Sequence, residues 1–223
     1  MGKHNPITLV FLLLSLVAYY FILTVGGSLL VVCSFAAIML CFLHGLVNLK
    51  SCDKLILLGL ACTVAADFCL VICSPIRQLE GMIFFLITQF LYATRLHLAD
   101  RRPLLLWLRS GMTLLALGIT IVVLQSNTDA LALVSLCYYA NLIFNILMAF
   151  LQFKTDKLFP IALLLFLLCD TVIGLQVACG GYLSIPESSF LYRIIFMPFN
   201  LSWFFYLPSQ VLLSLRCRKN PTE

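Results

Sequence analysis

Leu55-Ile-Leu-Leu-Gly-Leu-Ala-Cys-Thr-Val-Ala-Ala-Asp67-Phe-Cys-Leu-Val-Ile-Cys-Ser74 holds a single charged side chain in an otherwise apolar or small run. Asp53-Lys54 precedes it and Pro75 follows, so polar and turn-forming residues bound it on both sides. A run of this length is too long for a buried strand. It matches the roughly 20 residues needed to cross ~30 Å of hydrocarbon at ~1.5 Å per residue. The stretch therefore reads as a transmembrane helix. A carboxylate at that depth costs about 2.5–3.5 kcal/mol on insertion scales, so Asp67 needs a partner or a task.

Working outward, the same pattern recurs along nearly all 223 residues. The chain is 63% hydrophobic and 10% charged, with a mean hydropathy of +1.10. A soluble domain of this size has too little interior for that much apolar surface. The expected fold is all-α: a polytopic bundle of eight transmembrane helices forming a single integral membrane domain. The spans fall at about 7–25, 28–47, 55–74, 81–98, 104–125, 130–152, 158–178 and 196–215. Gly26-Gly27, Ser74-Pro75, Arg102-Pro103, Ser126-Asn127 and Gly180-Gly181 supply the breaks. Pro198 and Pro208 interrupt the last span, and residues 187–197 read as an interfacial segment leading into it.

Loop charges provide a separate test of the count. With eight spans, Lys3, Lys50, Lys54, Arg95, Arg101, Arg102, Lys154, Lys157, Arg216, Arg218 and Lys219 share one side, and Arg77 and Arg193 take the other. This bias puts both termini in the cytoplasm. The net charge of +5 is then a topology signal rather than a sign of nucleic-acid binding. The first segment is too long for a signal-peptide core and reads as a retained helix. Of ten cysteines, most sit within spans as small hydrophobes; only Cys73 and Cys179, near the outer face, could pair, and the expectation is that they stay free. No His/Cys grouping has metal-site spacing, so no metal or cofactor is expected.

Asp67 and Asp170 are the acidic residues inside apolar runs. Asp67 lies 12 residues beyond Leu55 and Asp170 lies 12 beyond Leu158, so both sit ~18 Å from the cytoplasmic edge. Matched depth suggests a shared site. Gln89 and Tyr92 in the fourth span, Tyr138, Asn141 and Asn145 in the sixth, and Tyr206 and Gln210 in the eighth complete the candidate polar lining. Each alone also fits interhelical hydrogen bonding. His44 reads as a helix-interface residue, and Arg109 as a cation just inside the fifth span.

The residues around these positions resemble the YhhN-type lysoplasmalogenase family of eight-span membrane proteins. The matching elements are Ala66-Asp67-Phe68-Cys69-Leu70, then Gly81 through Phe84-Phe85, Gln89 and Tyr92. Tyr138-Tyr139-Ala140-Asn141, Phe166-Leu167-Leu168-Cys169-Asp170 and Tyr206-Leu207-Pro208-Ser209-Gln210 follow. Three positions depart from the family pattern: Ala66 replaces a Gly, Cys169 a Ser, and Gln89 a His.

The resemblance implies hydrolysis of the vinyl-ether bond of lysoplasmalogens to a fatty aldehyde and a glycerophospho-head-group. Such a bond is broken by protonation at carbon, and water captures the resulting oxocarbenium ion. One protonated and one ionised carboxyl suit that chemistry, and two close carboxyls share a proton in that way. Asp67 and Asp170 are the expected catalytic pair, with Gln89, Tyr92, Tyr138, Asn141, Asn145, Tyr206 and Gln210 as substrate-binding residues. The implied partner is an alkenyl lysophospholipid in the bilayer, with a bacterial plasma membrane expected ahead of the endoplasmic reticulum. Paired membrane carboxylates also suit a proton-coupled transporter, and Gln89 in place of His suits a catalytically silent lipid-binding protein.

Overall fold

The computed structural model describes residues 6–49, 52–124, 129–181, 186–197 and 199–217. Within them the chain is helical and no strand forms. The helices are α1 (Pro6–Thr24), α2 (Gly27–Val47), α3 (Lys54–Asp67), α4 (Gln78–Ala99), α5 (Pro103–Leu124), α6 (Ala130–Leu151), α7 (Leu158–Gly181), α8 (Phe190–Ile195) and α9 (Leu201–Cys217). A π-helical turn, Phe68–Ile72, continues α3 directly after Asp67.

Each expected span has a helix. Six of them are long and apolar enough to cross a membrane: α1, α2, α3 with its π turn, α4, α6 and α7. Within α5 the apolar stretch over Pro103–Ile119 is shorter. The final helix has 17 residues, starts at Leu201 rather than near 196, and carries Pro208 inside it. Part of the expected lead-in segment is the short α8. Pro198, Lys3, Lys50, Ser126-Asn127, Arg218 and Lys219 lie outside the described residues.

Sequence punctuation accounts for the local ends. Gly27 adopts φ +65, a left-handed value open to glycine, where the chain turns from α1 into α2. Asp53 caps α3 by accepting from the Leu55 N–H at 3.1 Å. Asp129 caps α6 through the Ala132 N–H at 2.7 Å. A Cβ on Gly59 would run into the Tyr92 ring, so this glycine sets how closely α3 approaches α4.

Five helices close a ring: α3 packs on α4, α4 on α6, α6 on α7, α7 on α9, and α9 back on α3. The core follows that ring, with Leu60, Tyr92, Leu142, Leu163, Phe166, Leu207 and Leu213 fully buried. α1 and α2 lie outside it against α9, and α2 also touches α3. His44 joins these layers as expected. Its ring stacks on Phe11 at 4.0 Å, and its Nδ1 lies 2.8 Å from the Ser214 hydroxyl. α5 is peripheral, packing on α6, and its outward side chains are bare, with Trp107 76% exposed. Apolar exposure on that scale is what hydrocarbon contact requires.

One end of the bundle collects Lys54, Arg95, Arg101, Arg102, Lys154, Lys157 and Arg216, and is called the basic end below. Here the cysteine expectation is met at one pair and corrected at another. Cys73 and Cys179 are free, whereas Cys52 and Cys217, with Cα atoms 5.0 Å apart, are joined as a disulfide. The tie between these strands of chain does not depend on sulfur alone, since the Asp53 N–H donates to the Cys217 carbonyl at 2.6 Å. Sequence spacing missed the pair because the two positions are 165 residues apart and only the α3–α9 packing brings them together.

Candidate functional site: two aspartates inside a helical ring

Asp67 ends α3 where the backbone widens into the π turn, a deviation that recurs at functional sites in helices. Its side chain is buried, and its Oδ2 accepts from the Tyr206 hydroxyl of α9 at 2.7 Å. Asp170 comes from α7, a wall of the ring that does not adjoin α3, and its Oδ2 accepts from the Tyr138 hydroxyl of α6. Both tyrosines pack on the buried Phe166 ring of α7. Four elements thus aim two carboxyls and two phenols into one interior.

An aromatic cage holds the phenols in place. The fully buried Phe166 ring packs 5.5 Å from Tyr206 and 6.4 Å from Tyr138. Phe85 of α4 lies 5.6 Å from Phe166 and 5.8 Å from Tyr138, while Trp203 stands edge-on to Tyr206 at 5.0 Å. Edge-to-face and tilted contacts of this kind fix ring orientation. Each tyrosine therefore presents its hydroxyl to its carboxyl with little freedom. In each pair it is Oδ2 of the aspartate that accepts from the tyrosine hydroxyl.

The seven expected binding residues separate into three groups. Tyr138 and Tyr206 are the carboxyl clamps just described. Gln89, Asn141 and Asn145 form a second polar cluster, between α4, α6 and α5. The Asn145 amide donates to the Gln89 Oε1 at 2.9 Å and to the Gln89 backbone carbonyl at 2.9 Å. Gln89 bonds Asn145 rather than either aspartate. Tyr92 and Gln210 are fully buried. Among the described residues, the Tyr92 hydroxyl and both amide atoms of Gln210 have no hydrogen-bond partner. A Tyr92 ring set edge-on to Phe159 at 5.4 Å and pressed on Gly59 lies toward the basic end.

Two features were not singled out as site residues from sequence. Arg109 of α5 is anchored in the second cluster, donating to the Asn141 Oδ1 at 3.1 Å and to the Asn145 Oδ1 at 2.6 Å. The signal available for it was its place inside an apolar run. The second feature is an ion network at the basic end. Arg95 donates to Asp53 at 2.7 Å and to Asp156 at 2.7 Å, and Arg216 donates to Asp156 at 2.6 Å. These four residues line a cleft of about 420 Å³. Burial pushes the Asp156 carboxyl up, but the Arg216 and Arg95 hydrogen bonds outweigh it and hold the group below its ordinary range. Nothing in the sequence separates these residues from ordinary loop charges.

A model of the YhhN family matches residues 27–215, most of the chain. The protein belongs to the YhhN family. The match runs from the start of α2 into α9, so it takes in every wall of the ring and both aspartates. No curated protein and no solved structure matches the chain. Membership and the long apolar helices together make this YhhN member a multi-pass helical membrane protein. Among the described residues, no three His, Cys, Asp or Glu side chains gather as a metal site.

Proposed function

We propose that this YhhN protein is a lysoplasmalogenase-like hydrolase that cleaves the vinyl-ether bond of alkenyl lysophospholipids with Asp67 and Asp170. In this reading all eight long helices span the bilayer, α5 and α9 included, and the basic end faces the cytoplasm, as the loop-charge bias requires. Family membership supports the reaction class. The observation that carries the reading is that two carboxyls from different helices are each gripped by a tyrosine, and both tyrosines pack on the one buried ring of Phe166.

The chemistry follows from that arrangement. The protonated member of the pair transfers its proton to the vinyl carbon distal to the ether oxygen, leaving an oxocarbenium ion on the proximal carbon. The ionised partner stabilises that cation and then takes a proton from the water that attacks it. The hemiacetal formed breaks its bond to the glycerol oxygen, releasing fatty aldehyde and the glycerophospho-head-group. The pair acts as a unit sharing one proton. Positioned acid–base catalysis of this kind contributes about 10²–10⁴-fold, and a fixed negative charge beside a developing cation adds to it.

Tyr138 and Tyr206 hold the carboxyls as neutral donors, so neither aspartate is tied up in an ion pair. Because Gln89 is bonded to Asn145 and not to an aspartate, replacing the family's His leaves the carboxyl pair itself intact. The decisive assay is aldehyde release from a defined alkenyl lysolipid by purified protein. Release by wild type that is lost in Asp67→Asn and in Asp170→Asn supports the mechanism. Equal release by wild type and both variants would discard it.

A further inference from the structure

Arg109 stands apart from the other arginines whose contacts are described. Arg95, Arg102 and Arg216 each hold a carboxylate. Arg109 is inside a helix, half-buried, and among the described residues meets no acidic partner. Its two terminal nitrogens donate to amide oxygens of Asn141 and Asn145, and its guanidinium lies 4.8 Å over the Phe144 ring. Neutral oxygens orient the fork without cancelling its charge. The small recess that Arg109 lines runs past Phe144 and Met148 to His97 and Asp100 at the basic end. Asp100 is itself committed to Arg102 at 2.6 Å.

A fixed, uncancelled guanidinium next to hydrocarbon costs free energy unless an anion arrives from outside the chain. Its planar fork matches phosphate, which it binds through paired charge-assisted hydrogen bonds. Register along α6 sets the reach. Tyr138 marks the level of the Asp170 carboxyl, and Asn141 and Asn145 lie three and seven residues further toward the basic end. At ~1.5 Å per residue that is about 4–11 Å. The phosphorus and the first-chain ether oxygen of a glycerophospholipid are roughly 6 Å apart along an extended backbone, at ~1.2 Å of advance per bond. Along the helix axis, the two anchoring points match the span of one molecule.

We infer that Arg109, presented by Asn141 and Asn145 at the α5–α6 seam, receives the phosphate of the lysophospholipid whose ether linkage lies between Asp67 and Asp170. This rests on the hydrolase reading for the second anchor. The phosphate site itself stands on Arg109 alone, and Asn141 and Asn145 are positioning residues. It also gives Gln89 a place: through Asn145 it braces the phosphate end of the substrate rather than the proton-transfer end.

The test compares binding of two uncleavable ligands to purified protein in nanodiscs by native mass spectrometry: a 1-alkyl lysophosphatidylethanolamine and the corresponding 1-alkylglycerol, which lacks phosphate. Wild type should prefer the phosphate-bearing lipid. Arg109→Gln should weaken that lipid about tenfold and leave the alkylglycerol unchanged, with Arg109→Lys retaining part of the preference. If Arg109→Gln does not fold, Asn141→Asp keeps the shape, supplies an internal carboxylate to Arg109, and should abolish the preference. An unchanged preference in these variants, or equal weakening of both ligands, would overturn the assignment. Stabilisation by inorganic phosphate that depends on Arg109, without any head-group preference, would assign a free anion and overturn it as well. Aldehyde release that survives in Asp67→Asn while the preference still tracks Arg109 would remove the hydrolase mechanism and leave the phosphate site standing.

Discussion

Asp53 and Asp156 at the basic end, and Asp67 and Asp170 within the ring, are the same residue type put to opposite uses by their partners. The first two are held by Arg95 and Arg216, which cancel their charge and turn them into struts between α3, α4, α7 and α9. The second two are held by Tyr206 and Tyr138, which orient them without supplying a counter-charge. A carboxylate clamped by a cation is spent on architecture. One clamped by a phenol is positioned and, in the proposed mechanism, still reactive. Depth explains the division: near water a guanidinium is easily accommodated, whereas mid-bilayer the cheaper donor is a neutral hydroxyl.

Exchanging the roles breaks or sharpens that contrast. The largest effect is expected for Asp67→Asn and Asp170→Asn, which should lower the aldehyde-release rate by about 10²–10⁴-fold without moving the thermal unfolding temperature in detergent. An equal loss from Asp53→Asn would dissolve the distinction. Next is Asp156→Ala, which takes a carboxylate from two largely buried guanidinium groups, Arg216 and Arg95, with Arg95 keeping Asp53. Removing one partner from such a network costs about 3 kcal/mol, the lower end of the usual range because the adjoining cleft admits water. The readout is a lowered unfolding temperature with the turnover of the folded fraction unchanged.

Tyr206→Phe and Tyr138→Phe should follow, each losing one hydrogen bond to a carboxyl, about 1.5 kcal/mol and hence roughly tenfold in turnover. A phenylalanine variant as inactive as Asp67→Asn would show that the phenol takes part in the chemistry itself.

Acid exposure should produce a smaller effect. The Asp156 carboxyl titrates lower in the folded protein than in the unfolded chain. Its contribution to stability is therefore fully present above the unfolded value of about 3.9 and is lost as pH falls through the folded one. Unfolding temperature should be level from neutrality down to about pH 4 on this account and decline below it. Asp156→Asn should flatten the decline. The smallest effect is expected for Gln89→His, because Gln89 touches Asn145 rather than the aspartates; a large gain in aldehyde release would instead tie this position to proton transfer.

Much of the architecture could be read from composition and spacing because a bilayer imposes length and polarity on each helix separately. The start of α3 after its Asp53 cap, the break at Gly26-Gly27 and the extent of α6 and α7 are local consequences of that constraint. The last helix was less legible: Pro208 and a 17-residue length weaken the hydropathy signal, and α9 is instead held by its packing on α7. Asp67 and Asp170 announced themselves through insertion cost alone, as a charge in hydrocarbon is conspicuous in one dimension. Arg109 carried the same signal, but its meaning depended on Asn141 and Asn145 being its neighbours.

Partnership was a matter for the tertiary structure. That Asp67 meets Tyr206, 139 positions away, that Gln89 belongs with Asn145 and Arg109, and that Cys52 rather than Cys73 finds a cysteine partner all follow from the order of helices around the ring. That order arises from packing between whole helix faces, to which no single residue's hydropathy gives access. By itself the sequence determined which helices form, and that two carboxyls lie inside them. Only the closed ring of α3, α4, α6, α7 and α9 decided that each of those carboxyls is held by a phenol packed on Phe166, with the acidic residues at the basic end committed to arginines.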